Sequence, residues 1–216
     1  MEEKATFKTT LLSFLRLETL TMTKWTTGGT LIGIIAYFII ALIDLPKYTF
    51  MGLDLGITVI PIKGGLDLGL VVIVLIAAFC GPLAGFFVGL IGSLGADILY
   101  TQQIIALGGT NLALGLLGFV VGIPHYTKDE GFAEGKKIAI LILFTFTGYL
   151  LMTIFYLISL IVIAGQSFEG TLLYNFAPYF SITLFSLLLF APVAVRISEI
   201  IIQFSTKFLE TQVKTS

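Results

Sequence analysis

Apolar residues run through this chain in long blocks, set apart by short polar or proline-bearing breaks. The first block spans Gly28 to Ile43 and is closed by Asp44-Leu45-Pro46. A second runs from about Leu66 to Phe79 and stops at Cys80-Gly81-Pro82. The third continues from Pro82, a residue suited to the first turn of a helix, to Tyr100. A fourth covers about Ala106 to Ile123, a fifth Ile138 to Ala164, and a sixth about Leu172 to Ile202, with Pro178 and Pro192 as expected kinks. Blocks of this length read as transmembrane helices. The expected fold is therefore an all-α integral membrane protein with six transmembrane helices. Between the first two blocks, Lys47 to Gly65 is too broken by Gly and Pro to form one helix. It reads as a structured outer loop, with Lys47, Tyr48 and Pro61 as candidate lid residues. Residues 1–27 interleave apolar and charged side chains, as in a cytoplasmic segment lying on the interface. Residues 28–204 then form the membrane domain and 205–216 a cytoplasmic tail.

Within the blocks, small residues fall into stripes. Gly81, Gly85, Gly89 and Ser93 recur every four residues and Asp97 continues the row. Asn111, Gly115, Gly118 and Gly122 follow at steps of four and three. Small residues at such spacing let helix backbones approach closely in lipid, where packing drives association. The third and fourth helices should form a tight hairpin with a polar mouth at Asp97 and Asn111. Gly29 and Gly33 offer a similar small-xxx-small face on the first helix.

Composition agrees with this picture: 57% of residues are hydrophobic and 12% charged, against roughly 25% charged in soluble domains. Mean hydropathy is +1.04. A net charge of −1 with no basic stripe gives no footprint for nucleic acid. Cys80 and His125 are single, so no internal disulfide, cysteine-rich metal site or multi-histidine centre is expected. Lys and Arg placement sets the topology. Ten of the twelve cations, from Lys4, Lys8, Arg16 and Lys24 through Lys128, Lys136 and Lys137 to Arg196, Lys207 and Lys214, share one side of a six-helix layout. Only Lys47 and Lys63 lie opposite, which places both termini in the cytoplasm.

With that orientation, polar residues gather in the outer half. Asp67 opens the second helix, Asp97 and Tyr100 close the third, and Gln102 and Gln103 follow. Asn111 opens the fourth, Gln166 follows the fifth, and Tyr174 and Asn175 open the sixth. An acid deep in a helix costs about 2.5–3.5 kcal/mol on insertion scales, so it normally faces protein or water. The inner half is almost free of such groups until Arg196 and Glu199. This asymmetry suggests a pocket open to the outside, with no polar path across the membrane. Plainer readings stand beside it: Asp97 as a helix cap or a partner of Asn111, Asp67 as a solvated interface residue, the tyrosines as interfacial aromatics. Catalytic motifs are weak. The run Gly131 to Lys137 is one residue short of a phosphate loop and lacks its Ser or Thr. No nucleophile elbow, zinc-protease helix or paired-glutamate arrangement occurs, so no enzyme is expected.

The combination of a loop-led second helix, Gly81-Pro82-Leu83, Gly85, Gly89, Gly92 and Asp97, then Leu114-Gly115-Leu116-Leu117-Gly118 and Gly122, resembles the substrate-binding S component of energy-coupling factor (ECF) transporters. Asn175-Phe176-Ala177-Pro178 in the last helix is also similar, and the resemblance covers about residues 28–204. It implies capture of a small water-soluble vitamin or micronutrient, without cofactor or metal. Partners would be a transmembrane T component and two ATPases in a prokaryotic cell membrane. Asp67, Asp97, Asn111 and Asn175 are the candidates to orient the ligand by hydrogen bonds, Tyr100 and Tyr174 to stack on a ring, and Lys63 to meet an anionic group from the lid. Where the family commonly carries A-x-x-x-A for the T component, this chain has Gly29-x-x-x-Gly33. Two other readings remain at this stage: an autonomous secondary transporter, and a non-catalytic assembly subunit of a larger membrane complex.

Overall fold

The computed structural model describes residues 24–42, 53–54, 59–60, 67–100, 104–124, 126, 135–163, 165, 167–171 and 183–215. Its elements are α1 (Lys24–Leu42), a two-residue antiparallel ladder of β1 (Leu53–Asp54) with β2 (Val59–Ile60), α2 (Leu68–Cys80), α3 (Pro82–Phe87), a π turn (Val88–Gly92), α4 (Ser93–Tyr100), α5 (Ile104–Gly122), α6 (Gly135–Val162), the short α7 (Phe168–Thr171) and α8 (Leu184–Thr215). The described chain is almost wholly helical. Leu53 faces Ile60 and Asp54 faces Val59 across the ladder; the rest of the loop between α1 and α2, from residue 43 to 66, lies outside the described residues.

Helix α5 is central, packed on α3 and the π turn along one side and on α6 along another. Helix α2 lies against α1, α3, α5 and α8. The core is built from Ile73, Val74 and Ala77 of α2, Ala84 and Val88, Leu117 and Val121, Leu141 and Tyr149, and Ala191 and Val195, all fully buried. The outside is just as apolar. Leu31, Ile32 and Ile35 on α1, Leu143 on α6, and Phe185, Leu189 and Ile197 on α8 are exposed. Apolar surface on this scale marks a body made to sit in lipid.

Several close approaches set the arrangement. Gly81 joins α2 to α3 with a φ of 96°, a conformation that glycine adopts without penalty, and its N–H donates to the Ala77 carbonyl at 3.0 Å. Pro82 then starts α3. Across the seam, a Cβ on Gly85 would stand 2.5 Å from the Gly118 carbonyl oxygen, and one on Gly122 would stand 2.5 Å from Pro82 Cα. The two backbones touch, as the glycine stripes predicted. Gly29 and Gly33 also face inward, against Cys80 and against Val88 and Ile76, so this pair is used in packing α1 onto the bundle.

Three features differ from the expected layout. The third helix is interrupted by the π turn, where Gly89 meets the backbone of Leu114 and Gly115 and the widened turn is met by the Ser93 hydroxyl donating to the Gly89 carbonyl. Helix α8 begins at Leu184, contains Pro192 and continues unbroken to Thr215, through the segment assigned to the tail; Pro178 lies outside the described residues. Finally, Gly135–Val162 and Leu184–Ser205 are long and apolar enough to span a bilayer, whereas the other described apolar helices are shorter. For α2 the reason is local. It is held between its cap at Asp67 and the turn at Gly81, and 13 residues at about 1.5 Å each reach roughly 20 Å of the 30 Å core.

Candidate functional site

A cavity of about 150 Å³ lies at one end of the bundle. Its wall combines Asp67 and Leu70 at the start of α2, Thr110, Ala113 and Leu114 near the start of α5, Tyr149, Met152, Thr153 and Tyr156 in the second half of α6, and Thr183 just before α8. These segments meet because α5 and α6 run antiparallel: Gly109 rests against Ser159, while Gly148 rests against Leu117 and Val120. Among the described residues the cations collect at the other end. Lys137 is buried near the start of α6, and Arg196 pairs with Glu199 on α8. A lining of two tyrosines, three threonines and one acid among apolar residues suits a flat, polar-edged, uncharged or weakly cationic molecule.

Asp67 has two roles in this geometry. Its Oδ1 accepts from the Leu70 N–H at 3.3 Å, capping α2, and its carboxylate also borders the cavity. The cap separates by mutation from the charge. Asp67→Ala should lower stability by about 0.5–2 kcal/mol, whereas Asp67→Asn, itself a good cap, should leave it nearly unchanged. A thermal scan of the ligand-free variants in detergent reads this difference.

The other expected site residues are distributed differently. Asn111 is 1% exposed and stands one turn before Gly115 on the α5 seam, next in sequence to the cavity-lining Thr110. Neither of its amide atoms has a hydrogen-bond partner among the described residues. Asp97 is half-buried on α4 and does not line the cavity; it lies with Asp67 in electrostatic reach of Tyr37 on α1. Tyr100 ends α4, but its side chain lies outside the described residues, as do Lys47, Tyr48, Pro61, Lys63, Tyr174 and Asn175. Among the described residues no group of three His, Cys, Asp or Glu side chains could hold a metal ion. Sequence reasoning passed over the α6 wall altogether. Tyr149, Met152, Thr153 and Tyr156 fall at steps of three, one and three residues, the spacing of one helix face, which was the signal available.

Compared with known families, residues 48–199 match the family described as ECF-type riboflavin transporter, S component. The chain belongs to this family. No curated protein and no solved structure matches it. Every residue lining the cavity, from Asp67 to Thr183, falls inside the matched segment. As an S component the protein is a substrate-binding subunit for vitamin uptake by a membrane transporter, and such subunits are transport components, not enzymes.

Proposed function

We propose that this S component captures riboflavin from outside the cell. The observation that carries the reading is the cavity: its two tyrosines, three threonines and one acid lie within the segment matched to the riboflavin family. A flavin offers a flat tricyclic ring with an amide edge and a hydroxylated chain. Tyr149 and Tyr156 would meet the ring, and the threonines and Asp67 would meet the polar edge or chain. Asp97, Asn111, Asn175 and Lys63 remain our candidates for further polar contacts, with Tyr100 and Tyr174 to stack on the ring. The loop from Lys47 to Gly65, with its β1–β2 ladder, would close over the ligand.

In the same proposal the bundle crosses a prokaryotic cytoplasmic membrane six times with both termini inside. The cationic end then faces the cytoplasm and the cavity faces out, in keeping with the positive-inside bias. Energy for release would come from a T component and two ATPases.

Riboflavin fluorescence in a titration of the purified protein tests the capture step. We expect quenching that saturates at one ligand per chain. Ligand held at 100 times Kd should add about 2.7 kcal/mol of stability, a rise in Tm of roughly 5–10 °C. Binding of a different vitamin from a panel would keep the capture role and replace the substrate. No binding to any of them, with counterflow in liposomes lacking partners or co-purification with an unrelated membrane complex, would overturn the reading.

A further inference from the structure

Two threonines of the cavity wall differ in what their hydroxyls have left to offer a ligand. Thr153 is 2% exposed, and its hydroxyl donates to the Tyr149 carbonyl one turn back at 2.7 Å. This back-bond uses the only proton the side chain has, so toward a ligand Thr153 offers at most an oxygen lone pair. Thr183 is just as deeply placed, 4% exposed, and lines the cavity immediately before α8. Its carbonyl accepts from the Ser186 hydroxyl at 3.3 Å, while its own hydroxyl has no partner among the described residues. A polar group at this depth is costly until something completes it, and its place on the cavity wall is where a ligand would do so.

The position of Thr183 bears on which part of a ligand it meets. Tyr149 and Tyr156 are seven residues apart on one face of α6, with Met152 and Thr153 between them. At about 1.5 Å per residue this face is roughly 10 Å long, enough for a tricyclic ring to lie along it. Helix α6 packs against α5 and against α8. Thr110 therefore comes to the tyrosine wall from one neighbour and Thr183 from the other. A flavin lying along the wall with its imide edge toward α5 leaves its hydroxylated chain for the α8 side. Thr183 suits such a chain, because a threonine hydroxyl and a chain hydroxyl can each both donate and accept.

We propose that Thr183 is a specificity-determining residue of the cavity, hydrogen-bonding the hydroxylated chain of the ligand, and that Thr153 is not. This rests on the reading of the cavity as the riboflavin site.

The test compares Thr183→Val, Thr183→Ser and Thr153→Val in the full chain. Each is titrated with riboflavin and with lumiflavin, the same ring carrying a methyl in place of the hydroxylated chain. Thr183→Val should raise riboflavin Kd about tenfold and leave lumiflavin Kd within about twofold of the wild type. Thr183→Ser, which keeps the hydroxyl, should bind both flavins as the wild type does. Thr153→Val should leave both values within about twofold, because the proton it loses points at the backbone. Tm of the empty variants reports folding, and Thr183→Ala takes the place of Thr183→Val if that variant is not recovered folded. An unchanged riboflavin Kd in Thr183→Val, an equal loss for both flavins, or an equal loss in Thr153→Val overturns the proposal. If the wild type binds neither flavin, the substrate reading fails and this assignment with it. Wild-type binding without the split between the variants removes the assignment alone.

Discussion

Gly118→Val and Gly85→Val should each abolish folding of the bundle. The seam between α3 and α5 is backbone against backbone: a Cβ on Gly118 would meet the carbonyl of Gly85, and a Cβ on Gly85 would meet the carbonyl of Gly118. Neither neighbour is a flexible side-chain end that can swing away. Overpacking a core usually costs about 1–3 kcal/mol, and that figure assumes side chains and backbone can adjust. Here relief requires the two helices to separate, and α5 cannot leave α3 without giving up its contacts with α6 and the buried Leu117 and Val121. The expected result is loss of monodisperse protein on size exclusion in mild detergent. Gly28→Ala and Gly135→Ala are the matched controls, since nothing lies within 4 Å of a Cβ at either position. Both should fold with stability unchanged or raised by up to about 1 kcal/mol, because alanine is the better helix former. Equal loss in all four variants would mean that the seam is not what makes these glycines necessary.

Why the seam was legible and the cavity only partly so follows from the kind of signal each leaves. A glycine needed for close approach repeats with the helix, so Gly81, Gly85, Gly89 on one side and Gly115, Gly118, Gly122 on the other can be paired from the sequence alone. Membrane immersion was equally plain, because a chain facing lipid has no polar face to hide it. The cavity wall is different. Tyr149, Thr153 and Tyr156 are ordinary residues in an apolar helix, and they become a site only when the start of α5 and the end of α6 are brought together. Asp67 stood out because an acid at a helix start is conspicuous in such a composition; it caps α2 and borders the cavity. Asp97 and Asn111 were expected to share one mouth, yet Asp97 does not line the cavity and Asn111 is buried on the seam. The π turn explains part of that. One widened turn at Val88–Gly92 alters the helical phase of the residues after it, so a stripe drawn with an unbroken period from Gly81 misplaces Asp97. Nothing in the glycine pattern marks where a helix will widen.

Asn111→Leu should make the empty protein more stable while weakening ligand capture. In the empty bundle the Asn111 amide is a liability: it is 1% exposed, and neither Oδ1 nor Nδ2 has a hydrogen-bond partner among the described residues. An unsatisfied buried polar group costs about 1–3 kcal/mol, and an apolar side chain of similar size removes that cost without leaving a cavity. Such a group would be easy to replace in a helix whose only other polar side chain is Thr110. Its presence makes sense if the amide is kept for a ligand that completes it. The adjoining Thr110 already lines the cavity, and an amide offers one donor and one acceptor side by side, matching the imide edge of a flavin ring. On our proposal, Asn111→Leu then raises Tm of the ligand-free protein by about 2–4 °C per kcal/mol recovered and raises riboflavin Kd by about 100-fold. Differential scanning fluorimetry and the fluorescence titration read the two quantities separately. A purely structural asparagine would show the opposite pairing, with stability lost and the remaining folded protein binding as before.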